Sequence, residues 1–413
     1  MKLIKNSFIY LGTEIINKAI PFLLLPIITS YLTPTEYGVY GMYQVLFSFL
    51  TPFIMMSLDV NITRNFFRVS KEKLSKILSS IIIILHINVF IGLVVIFFIS
   101  LFFNNPFGIP NKILYIMPLI IYIQTINTFN LTILRNKEEA LKYGIFQIIT
   151  TIINFSLVLI LLIGFKLSWK SLVYSVLIAQ FVMMIYSYYY LKKNYSLFTS
   201  FYSFKEIYKI SLPLIFHLLG GSIIFLSDRI FIQQMKGLKQ VGLYSIGNQF
   251  GMITMIVINS IIAAISPWIY KKLSKEYKID KFLYLGMVGF FLLGLIIWII
   301  DLMIFPYMVN KSYLMAKGVI FWISLAFVFR GWYQLFYNKV VYYGKTSIFM
   351  YITFLAGILN IILNYFLIKL NGMIGAAQAT TMAFLFMFFS IYLYINKYEK
   401  EWIYNEKINK KNA

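Results

Sequence analysis

The chain has 413 residues, of which 60% are hydrophobic and 12% charged, and its 37 Lys and Arg outnumber 14 Asp and Glu to give a net charge of +23. With a mean hydropathy of +0.80, an ordinary soluble domain, where about a quarter of residues are charged, is excluded. Cysteine is absent, which removes disulfides, thiolate metal sites and cysteine nucleophiles.

Along the chain, apolar stretches recur about a dozen times from Phe8 to Ile395, each followed by a short polar break. A helix needs roughly 20 apolar residues to cross the hydrocarbon of a bilayer. The predicted spans are 8–32, 37–61, 77–103, 113–134, 143–165, 170–191, 208–234, 240–268, 282–305, 316–341, 346–368 and 372–395. The first follows Lys2 and Lys5, as the core of a signal peptide would. It contains Glu14 and Lys18, runs through Pro21 and Pro26 and has no Ala-x-Ala cleavage pattern, so it reads as an uncleaved span.

Twelve spans place both termini on one side. The runs Arg64, Arg68, Lys71, Lys73, Lys76 and Lys271, Lys272, Lys275, Lys278, Lys281, with the tail Lys397, Lys400, Lys407, Lys410, Lys411, alternate with breaks nearly free of charge, such as Thr33–Glu36 and Asn104–Gly108. Such a bias predicts cytoplasmic termini. The basic runs read first as orientation determinants, and second as contacts for anionic head groups or an anionic substrate.

Glu36-Tyr37-Gly38-Val39-Tyr40 is echoed by Gln240-Val241-Gly242-Leu243-Tyr244 at an offset of 204, and Asn154 by Asn360 at 206. An even number of spans separates the partners, so the halves run the same way through the membrane. The fold class predicted is therefore an all-α polytopic membrane protein: about 12 transmembrane helices in two parallel six-helix lobes around a central cavity. Residues 1–200 form the N-terminal lobe, 201–395 the C-terminal lobe and 396–413 a basic cytoplasmic tail.

A charge near the bilayer centre costs about 2.5–3.5 kcal/mol on insertion scales, so each one should face a partner or a wet cavity. Glu14 and Lys18 are four apart and share a helix face. Lys18 is a candidate contact for a pyrophosphate or an acidic sugar and Glu14 for a coupling H+ or Na+; mutual neutralisation accounts for them equally. Adjacent Asp228 and Arg229 point about 100° apart, so each requires its own partner; toward the outer end, where a gate could close, they read as a structural clamp or as substrate contact by Arg229 with Asp228 a coupling or charge-pair acid. Arg330 suits bidentate phosphate contact, or snorkelling toward the cytoplasmic interface beside Tyr333 and Tyr337. Asp59, near the end of the second span, is expected to pair with Arg64 and Arg68. His86 and His217 stand alone and read as satisfied core residues rather than proton relays. Tyr186, Tyr188, Tyr189 and Tyr190 fit an interfacial belt. No nucleophile elbow, phosphate loop, metal cluster or paired-carboxylate motif is visible, so neither an enzyme nor a cofactor is expected.

The segment Lys205-Glu206-Ile207-Tyr208-Lys209-Ile210-Ser211-Leu212-Pro213, then Leu226-Ser227-Asp228-Arg229 and Val241-Gly242-Leu243-Tyr244, resembles the seventh and eighth spans of bacterial oligosaccharide flippases. These are the Wzx-type exporters of O-antigen or capsule repeat units, in the superfamily that also holds multidrug/cation antiporters and lipid II flippases. Leu32-Thr33-Pro34-Thr35-Glu36-Tyr37-Gly38-Val39-Tyr40, Leu134-Arg135-Asn136-Lys137, Asn360-Ile361-Ile362-Leu363-Asn364 and Asn371-Gly372-Met373-Ile374-Gly375-Ala376-Ala377 extend the resemblance over nearly the whole chain. It implies a MATE-like fold with alternating access in the bacterial cytoplasmic (inner) membrane. The implied cargo is an undecaprenyl-pyrophosphate-linked oligosaccharide, carried to the outer leaflet. The implied partners are that lipid-linked oligosaccharide, membrane lipids and other polysaccharide-assembly proteins, with no nucleic acid. The coupling ion varies within such a family, H+ or Na+. A multidrug/cation antiporter or lipid II flippase is the nearest alternative. A membrane-embedded polymerase or glycosyltransferase would need a long outer loop or an acidic interfacial cluster, and neither is visible.

Overall fold

The computed structural model describes residues 6, 9–10, 12–13, 16–17, 20, 22–276 and 279–412, with side chains described there except at 216–225, 276 and 405–412. Glu14 and Lys18 lie outside the described residues, and so does the side chain of His217. The helices are α1 (Leu25–Tyr31), α2 (Pro34–Met55), α3 (Leu58–Phe66), α4 (Lys71–Phe102), α5 (Asn111–Asn136), α6 (Ala140–Leu159), α7 (Lys170–Asn194), α8 (Phe204–Lys236), α9 (Leu238–Glu276), α10 (Asp280–Met308), α11 (Lys317–Tyr342), α12 (Ile348–Asn371) and α13 (Met373–Asn412).

The helices follow from the solvent. In hydrocarbon every backbone N–H and C=O must be paired within the segment, which a helix does by itself. Among the described residues ten helices are long and apolar enough to cross a membrane: α2, α4 to α7 and α9 to α13, with α6 and α11 lengthened by adjoining turns. Of the two remaining predicted spans, 8–32 includes positions outside the described set, and 208–234 includes the side chains at 216–225 that are not described. Even so, the α8 backbone is one helix of 33 residues, about 50 Å long at 1.5 Å per residue. The protein is an all-α polytopic membrane protein.

The chain forms two compact units, Met1–Ser222 and Ile223–Ala413, with the division inside α8. In the first, α5 packs against α2, α3, α4 and α7, and α7 also packs on α6. Apolar residues such as Leu78, Ile81, Phe129 and Ile133 fill its core. Polar pairs stitch the same helices: Asn127 Nδ2 donates to Gln180 Oε1 (2.8 Å) and Ser187 Oγ donates to Asn127 Oδ1 (2.8 Å). The described part of the first span lies against α6, where Thr151 Oγ1 donates to Asn17 Oδ1 (2.6 Å) and Tyr10 meets Tyr143 edge to face.

Two sequence expectations are corrected in this unit. Thr33-Pro34-Thr35-Glu36, read as a loop, is the start of α2: Thr33 Oγ1 accepts from Glu36 N, and Glu36 Oε2 accepts from Thr33 N at 2.8 Å, a capping box followed by Pro at the first helical position. The second span also stops at Met55 instead of continuing to 61. Pro52 removes one helical donor, and Met56 and Ser57 take left-handed φ values of 49° and 50°, a costly pair for non-glycine residues. Asn88 Nδ2 donates to the carbonyl of Ile54 at the break, satisfying a group the interrupted helix exposes. The chain then resumes as the short helix α3.

In the second unit, α11 packs on α9, α10 and α13, and α12 packs on α13. Close approach rests on glycine. A Cβ on Gly251 would lie 2.5 Å from Ile323 Cγ2, and one on Gly294 would run into Val328 Cγ2, so at these two points α9 and α10 approach α11 as closely as they do because the side chain is missing. Where α10, α11 and α13 meet at the opposite end, Lys339, 0% exposed, bridges Asp280 Oδ1 (2.7 Å) and Glu399 Oε1 (2.5 Å).

Candidate functional site

In the second unit a buried polar cluster is built around Asp228. Its side chain is 1% exposed. Oδ1 accepts from Asn364 Nδ2 (2.7 Å), while Oδ2 accepts from Tyr244 OH (2.5 Å) and from Thr380 Oγ1 (2.8 Å). Four helices, α8, α9, α12 and α13, contribute one group each. Asn360 and Asn364 are four apart and share a face of α12; Asn364 Nδ2 also donates to Asn360 Oδ1 (3.0 Å), which accepts from Ser227 Oγ (3.3 Å) as well. Asn364 Oδ1 and Asn360 Nδ2 are buried with no hydrogen-bond partner. A carboxylate, an unengaged amide oxygen and two hydroxyls form a hard oxygen set, the ligand type that suits Na+ or receives a proton.

Asp228 and Arg229 each have their own hydrogen-bond partners, and both reach α9 because adjacent Tyr244 and Ser245 diverge by the same angle as the pair they meet: Arg229 Nε donates to Ser245 Oγ (3.1 Å), and its guanidinium lies 5.9 Å from the Tyr244 ring centroid. Arg330 is half-buried on α11. Its Nη1 lies 3.0 Å from Met255 Sδ and its guanidinium 5.9 Å from the Phe384 ring, so it is directed toward α9 and α13.

The first unit carries a separate polar cavity of about 110 Å³, lined by Asn61, Arg64, Asn65, Arg68, Tyr202 and Glu206 with Ile77, Ile207 and Ile210. Arg64, in the last turn of α3, and Arg68, in the turn that follows it, both line this opening. Asn61 is fixed on its wall by donating to Ser211 Oγ (2.8 Å). The expected pairing of Asp59 with these arginines does not occur. Its carboxyl is held in the first turn of α3 by the backbone N–H groups of Asp59 and Val60, and the cation acting on it is Arg135; burial pushes its pKa up against these influences. Helix geometry explains this: Asp59 opens α3, whereas Arg64 and Arg68 follow at its far end. His86 has partners on both ring nitrogens, Ile82 O (2.7 Å) and Tyr122 OH (3.1 Å), as a satisfied histidine should.

Sequence reading passed over three residues. Asn364 is uncharged and stood out only as part of a motif, while Lys339 and Asp301 are charges inside predicted spans that drew no notice beside Lys18, Arg229 and Arg330. A count of every ionisable residue within each span finds both.

Residues 3–273 match the family described as "Polysaccharide biosynthesis protein". A protein of the Lsg locus of Haemophilus influenzae is 25% identical over 362 residues, covering 84% of this chain and 87% of that one. Among solved structures, the lipid II flippase MurJ in its inward closed conformation matches with a TM-score of 0.72 at 16% identity over 95% of this chain and 87% of its own. An inward-facing multidrug resistance MATE family transporter of the MOP superfamily gives 0.74 at 14% identity, over 93% and 95%. At these identities the structures establish the fold, and the match over residues 3–273 establishes more: the chain belongs to the polysaccharide biosynthesis protein family.

Proposed function

We propose that the protein flips undecaprenyl-pyrophosphate-linked oligosaccharide repeat units from the cytoplasmic to the outer leaflet by alternating access, supplying O-antigen or capsule synthesis. The observation that carries this reading is the family match, laid over a chain whose polar groups gather inside membrane-spanning helices and not on an outer domain. On this reading the protein sits in the bacterial inner membrane with both termini cytoplasmic, where the basic loops belong. Arg64 and Arg68 are in place to receive the pyrophosphate, since guanidinium groups bind phosphate oxygens two at a time. Arg229, Arg330 and Lys18 are further candidates for the head group and sugar. The coupling ion, Na+ or H+, is assigned to Asp228 with Asn364 and Thr380, leaving Glu14 and Asp59 as secondary acids.

The fold shared with a lipid II flippase makes that cargo the competing reading. Deletion of the gene separates the two. Loss of surface polysaccharide, with lipid-linked repeat units accumulating on the cytoplasmic leaflet and peptidoglycan synthesis intact, is the expected outcome. Arrest of peptidoglycan synthesis with surface polysaccharide unaffected would replace the oligosaccharide by lipid II.

A further inference from the structure

Beyond its first turn, α10 carries a single acid, Asp301. Its buried positions Leu283, Phe290, Gly294, Ile297, Asp301 and Phe305 recur at helical spacing and define one face. That face lies on α9 and α11: Gly294 against Val328 and Thr254, and Phe305 against Phe250 at 4.8 Å between ring centroids. Asp301 stands on the same face between these contacts. It is 3% exposed, and its Oδ2 has no hydrogen-bond partner. Trp298 Nε1, Ser324 Oγ and Thr254 Oγ1, on the same three helices, are likewise buried without partners. Trp298 and Ser324 border one small apolar cavity, and Gly251 backs onto the Ser324 amide.

The charged and titratable groups on the packed elements are accounted for elsewhere. On α9, Lys239, Lys271, Lys272 and Lys275 lie near the helix ends, Tyr270 donates to Asn338 and Tyr244 donates to Asp228; on α11, Arg330 reaches Met255, Lys339 is taken by Asp280 and Glu399, and Tyr333 and Tyr337 pack with Phe349. Lys311, Tyr313 and Lys317 belong to the turn that opens α11, and no ion pair among the described residues includes Asp301. On α10 itself, Tyr307 is exposed away from the face and Tyr284 is bonded to Tyr392. An ionised carboxylate here would be desolvated with nothing opposite it, a penalty that disfavours the charged form. The neutral acid escapes that penalty and can use its O–H as a donor.

We propose that Asp301 is a proton-binding site. Its carboxyl is neutral while α10 lies against α9 and α11, and it releases the proton to water only when that face opens. Proton occupancy and closure of the helix interface are therefore linked, each favouring the other. This goes beyond the transport reading and does not depend on the cargo.

The test is infrared spectroscopy of the full chain in lipid vesicles across a pH titration, with amide hydrogen exchange of α10 followed in parallel. At neutral pH, where exposed aspartates with a pKa of about 3.9 are ionised, a protonated-carboxyl stretching band should remain. It should lose intensity in Asp301→Asn whether or not Na+ is present. Exchange in α10 should rise as the wild-type band titrates away, and lose that pH dependence in Asp301→Asn. A band untouched by the substitution, or identical pH dependence in both proteins, would overturn the proposal. Should the variant fail to insert, the wild-type protein alone decides: coincident midpoints for the band and for α10 exchange support the linkage, and separated midpoints refute it.

Discussion

Two acids of the second unit are buried alike and differ in company. Asp228 accepts three hydrogen bonds, whereas Asp301 has an oxygen without any. An acid whose carboxylate form is already solvated by side chains can take a cation or proton without unfolding its surroundings, so Asp228→Asn is expected to abolish gradient-driven polysaccharide export while protein abundance in the membrane is kept. Thr380→Val removes one ligand and should weaken export by about tenfold; export normalised to membrane protein level measures both. Asp59, on a short helix outside the candidate spans, gives a pH-dependent prediction. Burial raises its folded pKa above the unfolded value, so the folded state favours the protonated form, and stability is lost as pH rises through the folded pKa. Asp59→Asn should therefore raise thermal stability in detergent at neutral pH and make little difference in acid; an equal effect at both would remove the burial argument. Charge made Asp228, Arg229 and Arg330 legible in the sequence. Their partners were not, because amides and hydroxyls barely disturb the apolar pattern of a span and their meeting depends on helices far apart in the chain.

At the scale of elements, the second unit is organised by α11, which meets its neighbours through glycine notches and one buried cation. Lys339 holds two carboxylates from two other helices, so removing it strands both acids: Lys339→Met should cost about 3–5 kcal/mol, read as a large drop in thermal unfolding temperature. Asp280→Asn should cost less, because Lys339 keeps Glu399 and the Asp280 side chain is 43% exposed. At the notch, Gly251→Ala forces a methyl group onto Ile323, and overpacking of this kind costs about 1–3 kcal/mol. The helices themselves were legible, since a run of about 20 apolar residues has one stable form in lipid. The break after Met55 was not, for the apolar run Phe53-Ile54-Met55-Met56 passes through it and only the backbone reveals two consecutive left-handed residues.

For the whole molecule, the same physics that forces helices also sets their orientation, because Lys and Arg cross the bilayer poorly and collect on the cytoplasmic side. The helix boundaries sharpen that expectation. The basic run from Arg64 to Lys76 falls at the junction of α3 and α4, and the run from Lys271 to Lys281 at the junction of α9 and α10. With one further span ahead of α2, these two junctions lie on one face of the membrane, and the starts of α5 and α9 and the end of α12 lie on the other. Reporter fusions after Lys112, Lys239 and Asn371 should accordingly read as outside, and fusions after Lys76 and Lys281 as inside. The first span includes positions outside those described, so this measurement also tests its existence: if residues 8–32 did not cross, every downstream fusion would reverse together, while a single fusion reading the wrong way would locate an error in one hairpin alone.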